Sequence, residues 1–319
     1  MATRLFVVLA LVALIFGTLG VASTRDSLDN VREVAIDASV TDKNGNPVVG
    51  LKPQNFRVFV DGIEQTVTRV CMNSKPLAAV ILLEFRNSPN YVATDVIETA
   101  ADLVNSLRSD DWIALVVFDT VPDIAVDFTH DKTEVVGALE RLRMPGSENV
   151  ALYDSLHYVL SRMAGIAEKK AIVLIGTGFD TGSYRRTYGD ALKKAEAADT
   201  LIYTVDVGRG ARSTMPDPYP GAYPDPSAQF RLNDAANTLA SFAEVSGGLS
   251  FEPLFEGQYR SAYERLNSDV RHQYTVTFIS STAKTPGKLR KLKIEATGDP
   301  IDPDAKPVRL KVRHKKGYH

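Results

Sequence analysis

Four polar residues follow directly after a strongly apolar stretch of the sequence. Residues 78–83 are Ala-Ala-Val-Ile-Leu-Leu, and Glu84, Arg86, Asn87 and Ser88 come after them. A continuous apolar run of this length is typical of a strand that is buried on both faces of a parallel sheet. Because ligands bind outside the carboxyl ends of such strands, we expect these side chains to lie at a binding edge.

Two further segments carry residues that would reach the same edge. Val150 precedes a helical stretch, and Thr177 and Asp180 follow the apolar run 171–175. The carboxyl ends of parallel strands share one edge of a sheet, so these positions are expected near Glu84. Asp180 is further expected to accept a hydrogen bond that shapes its loop.

The sequence carries no strong signature of catalysis. None of the five histidines has His-Glu-x-x-His spacing, and no Gly-x-Ser-x-Gly elbow occurs. Gly176, Gly178 and Gly182 follow a strand, but their spacing differs from the Gly-x-Gly-x-x-Gly of a dinucleotide loop. We therefore expect a non-enzymatic protein without a cofactor. A nucleotide-binding or hydrolytic enzyme that uses the cleft at the sheet edge is the alternative.

The N-terminus predicts export. Arg4 precedes the apolar run 5–16, and small residues follow near Ala22 and Ser23. This pattern is typical of a secretory signal peptide over residues 1–23. The alternative is an uncleaved anchor, since the span approaches the ~20 residues that cross a bilayer. Either interpretation places the protein outside the cytoplasm, either secreted or in the periplasm and cell envelope.

Composition and charge limit the classes of molecule that this protein is expected to bind. The formal net charge of -2 gives no global attraction to nucleic acid, and the single cysteine, Cys71, excludes an internal disulfide. Basic residues cluster in the segments 288–293 and 309–316. We expect solvated strand faces there, with contact to an anionic polymer or lipid headgroups as the alternative. Membrane contact is expected only through the leader or these basic strands.

Strands alternate with helices through the middle of the chain, which predicts an α/β fold with a doubly wound, mainly parallel sheet. The predicted strands are 78–83, 112–118, 171–175 and 201–207. The predicted helices are 92–107, 132–142, 151–163, 186–198, 233–245 and 258–270.

Alternating β patterns lie on both sides of this block. A few isolated strands cannot bury a face alone, so strands from the two ends are expected to pack together as a small β-sandwich. The expected organisation is a signal peptide at 1–23, a linker at 24–32, a β segment at 33–74, the α/β domain at 75–270 and a second β segment at 271–319.

The order and spacing of several short motifs resemble the von Willebrand factor A-related family of exported bacterial proteins. The resemblance covers essentially everything after the leader. The motifs are the turn from Thr41-Asp42-Lys43 to Pro47-Val48-Val49-Gly50-Leu51, Asn55-Phe56 with Asp61-Gly62, Ala151-Leu152-Tyr153-Asp154, Phe179-Asp180-Thr181-Gly182, Tyr203-Thr204-Val205-Asp206-Val207-Gly208 and Lys315-Lys316-Gly317-Tyr318. The resemblance implies an A-type α/β domain that binds proteins.

Domains of this type usually bind a divalent cation at the sheet edge through Asp-x-Ser-x-Ser, a threonine and a further aspartate. In this chain, Glu84 replaces the first aspartate and Arg86 the first serine, while Ser88 matches the second serine. Val150 stands at the threonine position and Thr177 at the late aspartate. A hard cation requires more oxygen ligands than this set offers. We expect no metal, with a metal-dependent adhesin that uses Glu84 and Ser88 as the alternative.

The charge of Arg86 suggests that this side chain takes the place of the cation. We expect Glu84 to hold the guanidinium, which then presents a permanent positive charge to a carboxylate of a protein partner. The alternative is that Arg86 points into solvent and the site is inactive.

A long segment, 208–229, adds tyrosines placed between prolines, which suit recognition surfaces; a flexible insertion is the alternative. The partner, whose identity the sequence does not give, is expected to be a protein rather than a nucleic acid or a small-molecule substrate. The expected contact residues are Glu84, Arg86, Asn87, Ser88, Val150, Thr177, Asp180, Tyr219 and Tyr223.

Overall fold

The computed structural model describes residues 32–73, 75–87, 93–144, 146–208, 226–255, 257–280, 289–298 and 308–318. The predicted leader at 1–23, Ser88 and most of the segment 208–229 lie outside the described residues. The end of that segment is helical, because a helix begins at Pro226. Proline suits the first helical turn, where its missing N–H has no partner to lose.

Six strands in the middle of the chain form one sheet. They are β4 (Leu77–Glu84), β5 (Trp112–Phe118), β6 (Pro122–Thr129), β7 (Lys169–Gly176), β8 (Leu201–Asp206) and β9 (Ser250–Phe251). Their order is β6-β5-β4-β7-β8-β9, and only β6 runs antiparallel to its neighbour. Strands β5 and β6 are thus added on one side of β4, and strands β7 to β9 on the other. The order in which strands are added therefore changes direction between β4 and β7, although these two strands are parallel. This order confirms the expected doubly wound, mainly parallel sheet.

Helices cover both faces of this sheet. They are α1 (Ala93–Ser106), α2 (Lys132–Glu140), α3 (Leu152–Met163), α4 (Tyr188–Ala197), α5 (Pro226–Ser246) and α6 (Gly257–Arg271). One apolar cluster joins the sheet to α1, α2 and α6, and a second joins it to α3, α4 and α5. Because both faces are covered, every residue of β4, β7 and β8 is buried. None of the helices that the structure describes is both long and apolar enough to span a membrane.

Strands from the two ends of the chain form a second, antiparallel sheet. They are β1 (Arg32–Thr41), β2 (Phe56–Val60), β3 (Ile63–Met72), β10 (Gln273–Ser280), β11 (Arg290–Gly298), β12 (Val308–Arg309), β13 (Lys311–His314) and β14 (Gly317–Tyr318). The order is β12-β11-β2-β3-β10-β1-β13, with β14 also on β11. Apolar side chains from these strands share one core.

The segment 308–318 nearly closes this sheet, which we call the barrel. β13 pairs with β1, and on the other side Leu310 N donates to Ala296 O at 3.0 Å and Leu292 N donates to Lys316 O at 2.9 Å. Strands from the two ends therefore pack together around one core as expected, but as one nearly closed sheet and not as two facing sheets. Closure through a shared segment leaves fewer strand edges exposed than a sandwich would.

Local turn chemistry agrees with the sequence. The hairpin between β2 and β3 turns at Asp61 (φ 50) and Gly62 (φ 86), the left-handed conformations that a two-residue turn requires. Gly247 (φ 86) ends α5, and Gly248 N donates to Ala243 O at 2.9 Å. Gly247 is thus a helix cap, as its position predicts.

Candidate functional site

The carboxyl end of β4 carries a fully buried carboxylate. Glu84 is 0% exposed. Its Oε2 accepts a hydrogen bond from Thr177 N at 2.8 Å, and Thr177 Oγ1 lies 2.9 Å from Oε1 and 3.0 Å from Oε2. Since β4 and β7 are the strands between which the chain reverses direction, this contact lies at the position where doubly wound sheets bind ligands. We call this edge of the sheet the rim.

Gly176 makes the approach of the two strands possible. A Cβ atom at this position would lie 2.7 Å from Glu84 Oε2 and 3.1 Å from Glu84 Cβ. Any larger residue would displace the carboxylate. Glycine at the end of β7 is therefore part of how the rim positions Glu84, a role that the sequence analysis did not assign to it.

Arg86 lies against Glu84. Its Nε donates to Glu84 Oε1 at 2.8 Å, and its Nη1 donates to Glu148 O at 3.2 Å. The Arg86 side chain is 15% exposed. Its Nη2 has no hydrogen-bond acceptor within the described part of the chain. The guanidinium is thus held from one side while part of its donor set remains available.

Burial and charge oppose each other at Glu84. Removal from water raises the pKa of this carboxyl, while the Arg86 charge and the hydrogen bonds from Thr177 counteract the increase. Arg86 and Thr177 are therefore the groups that favour the ionised form of Glu84, and Glu84 in turn orients Arg86.

Val150 holds the rim together through its backbone. Its N–H donates to Thr181 Oγ1 at 3.0 Å, and its carbonyl accepts from Thr181 N and Gly182 N, both at 2.8 Å. Its side chain is 0% exposed. The expectation that Val150 contacts a partner therefore needs correction, because the loop after β7 folds over it and places it in the core.

The same correction applies in part to two other predicted contact residues. Glu84 and Thr177 are 0% and 4% exposed, so Thr177 holds Glu84 and Glu84 orients Arg86, and neither side chain faces a partner. Arg86 and Asn87 lie at the surface beside them, and Asn87 N donates to Ser147 O at 3.0 Å. Ser88, Tyr219 and Tyr223 lie outside the described residues.

Asp180 shapes its own loop, as its position predicts. Its Oδ1 accepts from Tyr153 N at 3.2 Å and from Ser183 Oγ at 2.6 Å. Ser183 Oγ also accepts from Asp154 N at 3.0 Å. The carboxylate therefore joins the loop after β7 to the start of α3. By accepting from a backbone N–H in the first turn of the helix, it does what the side chain of an N-terminal cap does.

Two residues of this loop were missed by the sequence analysis. Tyr184 is 72% exposed, and Arg185 lies over its ring at 5.1 Å. The backbone N–H groups of both residues donate to Asp154 Oδ2, at 3.2 and 3.3 Å. An exposed aromatic ring on a fixed backbone suits a recognition surface. In the sequence, the signal is the Tyr184-Arg185 pair, which follows Asp180 in the loop after β7.

The described residues at the rim do not supply the set of oxygen ligands that a divalent cation requires. Both oxygens of Glu84 accept hydrogen bonds from protein donors, and the Arg86 guanidinium lies on one of them. Val150 offers no side-chain oxygen. Among the described residues, no group of three or more His, Cys, Asp or Glu side chains could hold a metal ion. A cation would have to displace a guanidinium of like charge.

Comparison with known proteins gives likenesses to solved structures only. No family model matches the chain, and no curated protein matches it. An aerotolerance-related membrane protein from Bacteroides fragilis is 18% identical, with a TM-score of 0.46, over 61% of this chain and 98% of its own. BatB, a conserved hypothetical protein from Bacteroides thetaiotaomicron, is 15% identical, with a TM-score of 0.44, over 60% and 97%.

A third similar structure is the VWA domain of SpRpn10, which is 12% identical, with a TM-score of 0.41, over 61% of this chain and 97% of its own. At such identities the likeness concerns the fold alone. The strand order of this chain's own sheet independently shows a doubly wound, mainly parallel α/β fold with an antiparallel edge strand.

Proposed function

We propose that this chain is a non-enzymatic protein-binding module of the cell envelope or extracellular space, and that it binds an acidic group of its partner at the rim without a metal. The observation that carries the proposal is the Glu84–Arg86 pair. A buried carboxylate fixes the guanidinium at the point where the chain reverses direction across the sheet, and Nη2 has no acceptor in the described part of the chain.

The geometry favours carboxylate recognition. Two hydrogen bonds, to Glu84 and to Glu148 O, orient the guanidinium before a partner arrives. A planar guanidinium binds a carboxylate through two parallel hydrogen bonds, and a group that is already oriented loses less conformational entropy on binding. Arg86 would then occupy the role that the cation has in related domains.

Neighbouring groups would add contact area. Asn87 lies beside Arg86, and Tyr184 and Arg185 form an exposed pair on the loop after β7. Aromatic rings and arginines are enriched among residues that contribute most to protein interfaces. We propose that Tyr219 and Tyr223, in the segment 208–229, contact the same partner.

Two further points support the reading as an exported binding module. The leader at 1–23 favours export. In the described part of the rim, the hydroxyl groups of Thr177, Thr181 and Ser183 form hydrogen bonds with Glu84, the backbone of Val150 and Asp180, and not with a histidine that could activate them as nucleophiles. An adhesion or assembly role accounts for both.

The test is site-specific photocrosslinking from position 87 in cells that make the protein natively. Arg86→Gln is compared with Arg309→Gln, a matched control whose side chain is 79% exposed on the barrel. We expect the adducts of Arg86→Gln to fall about tenfold, the loss expected for a charge-assisted pair, and those of the control to stay unchanged.

Arg86→Lys separates charge from geometry, because lysine keeps the charge but lacks the planar set of donors. We expect its adducts to lie between those of the wild type and Arg86→Gln. Circular dichroism checks that each variant is folded. Unchanged crosslinking in a folded Arg86→Gln protein would contradict the proposal.

A further inference from the structure

We propose that a cavity between the barrel and the α/β domain binds a phosphate group, either free or on a small organic molecule. The cavity has a volume of about 620 Å³ and is lined by β1, β3 and β10 of the barrel, by the starts of β7 and β8, and by the segment after β13. It lies at the amino ends of the parallel strands, opposite the rim. The proposal is therefore independent of the partner site.

The lining carries an excess of positive charge. Five basic and three acidic side chains line the cavity, whereas the whole chain has a formal net charge of -2. The basic residues are Arg69, Lys75, Lys169, Lys170 and Lys315. Net positive charge in a concave, partly desolvated site attracts anions more strongly than the same charge on an open surface.

Three ammonium groups in this wall have spare donors. Lys169 Nζ donates to Val270 O at 2.5 Å, and Lys170 Nζ donates to Ile166 O and Asp199 Oδ2 at 2.9 and 2.7 Å. Lys315 Nζ has no acceptor in the described part of the chain. Six of the nine N–H donors of these lysines thus have no acceptor among the residues that the structure describes.

The acidic residues of the lining do not supply the missing acceptors. Asp37 accepts from Thr275 Oγ1 at 2.6 Å and from Asn73 Nδ2 at 3.1 Å. Asp199 already binds Lys170, and Glu168 is exposed. Asp37 and Asp199 therefore offset part of the positive charge, and an anionic ligand would supply the further acceptors and negative charge.

A phosphate group fits these requirements. A phosphate monoester carries a charge of about −1.5 to −2 near neutral pH and three acceptor oxygens, which matches the two-charge excess of the lining. Lysine binds phosphate as a point charge without a fixed geometry. The volume lies within the ~300–1,000 Å³ of small-molecule sites, so an organic group can accompany the phosphate.

The ammonium groups are poorly compensated without a ligand. Burial lowers the pKa of Lys169 to about 8, and burial together with the charge of Lys170 lowers the pKa of Lys315 against the opposing effect of Asp199 and Asp37. A bound anion would stabilise the charged forms of both residues.

Isothermal titration calorimetry of the full chain, in a buffer free of phosphate, tests the proposal with glycerol 3-phosphate, inorganic phosphate and sulfate as probes. We expect a phosphate probe to bind, and Lys315→Met to weaken its binding about tenfold. Lys316→Met is the matched control, because Lys316 is adjacent but exposed and pairs with Glu244. The control should bind as the wild type does.

The probes also distinguish the sources of the phosphate. Tighter binding of glycerol 3-phosphate than of inorganic phosphate supports an organic ester, and equal binding of the two supports free phosphate. If Lys315→Met does not fold, Lys75→Met at the exposed side of the cavity replaces it, with the same expectation of weaker binding. No binding of either phosphate probe, equal binding of sulfate, or wild-type affinity in the folded lysine variant would overturn the proposal.

Discussion

Replacing Lys169 with methionine removes an ammonium group that the fold buries at an energetic cost. Lys169 begins β7, is 7% exposed and has a pKa lowered to about 8, chiefly because of burial. The charges that face it are Asp37 on β1 and Asp269 and Arg271 on α6. In the unfolded chain a lysine has a pKa of about 10.4. Between these two values the unfolded state binds more protons than the folded state.

The sign of the pH effect follows from that difference. Below about pH 8 the lysine is charged in both states and destabilises the fold; above about pH 10.4 it is neutral in both. The contribution of Lys169 to the free energy of unfolding therefore becomes more favourable to the folded state as pH rises from about 8 to about 10.4. The full shift corresponds to about 3 kcal/mol, of which about 2 kcal/mol is gained between about pH 7.5 and 9.5.

The assay is urea unfolding followed by circular dichroism, for the wild type and Lys169→Met, at several pH values in that range. The variant also loses the hydrogen bond to Val270 O, but this loss is independent of pH and cancels when the change with pH is compared. We expect the wild type to gain about 2 kcal/mol relative to the variant as pH rises. A difference that stays constant with pH would refute the reasoning.

Three further predictions concern the rim and the opposite edge of the sheet. Gly176→Ala places a Cβ atom 2.7 Å from Glu84 Oε2, so we expect it to lower stability by about 1–3 kcal/mol in urea unfolding; Gly165→Ala, with nothing within 4 Å, is the control and should change little. Titration with Mg²⁺, Mn²⁺ or Ca²⁺ should leave the melting temperature unchanged, and a rise would favour a metal-dependent adhesin. Asp111→Asn should destabilise the chain by about 2–4 kcal/mol in the same unfolding assay, since a fully buried carboxylate that pairs with Arg271 is lost; wild-type stability would contradict this.

The regular elements of the α/β domain could be predicted because their patterns are local. Helical spacing over 92–107 anticipates α1, and the run 78–83 anticipates β4. β6 was missed although its apolar residues alternate with Asp123 and Asp127, which is the pattern of a strand with one exposed face. The curvature of the barrel was missed too. It depends on the segment 308–318 pairing on two sides, which no local alternation encodes.

At the candidate site too, contacts between residues close in sequence could be predicted, and contacts between distant segments could not. Glu84 and Arg86 are two residues apart at the end of a strand, so their pairing follows from local geometry. The burial of Val150 depends on a loop some thirty positions away and could not be inferred from its neighbours. The cavity was not anticipated, because Lys169 and Lys315 come from segments that meet only in the folded protein.

The strand pairing of β1 sets an order of events during synthesis. Its partners, β10 and β13, come from beyond the α/β domain, and the contact from Gln273 to Ser39 spans 234 positions. During synthesis, β1 to β3 therefore emerge before β10, β11 and β13, the strands from beyond the α/β domain that pair with them. Waiting strands pair readily with those of other copies. The long interval in the sequence between β1 and its partners should thus make pairing between copies a characteristic risk while this fold assembles.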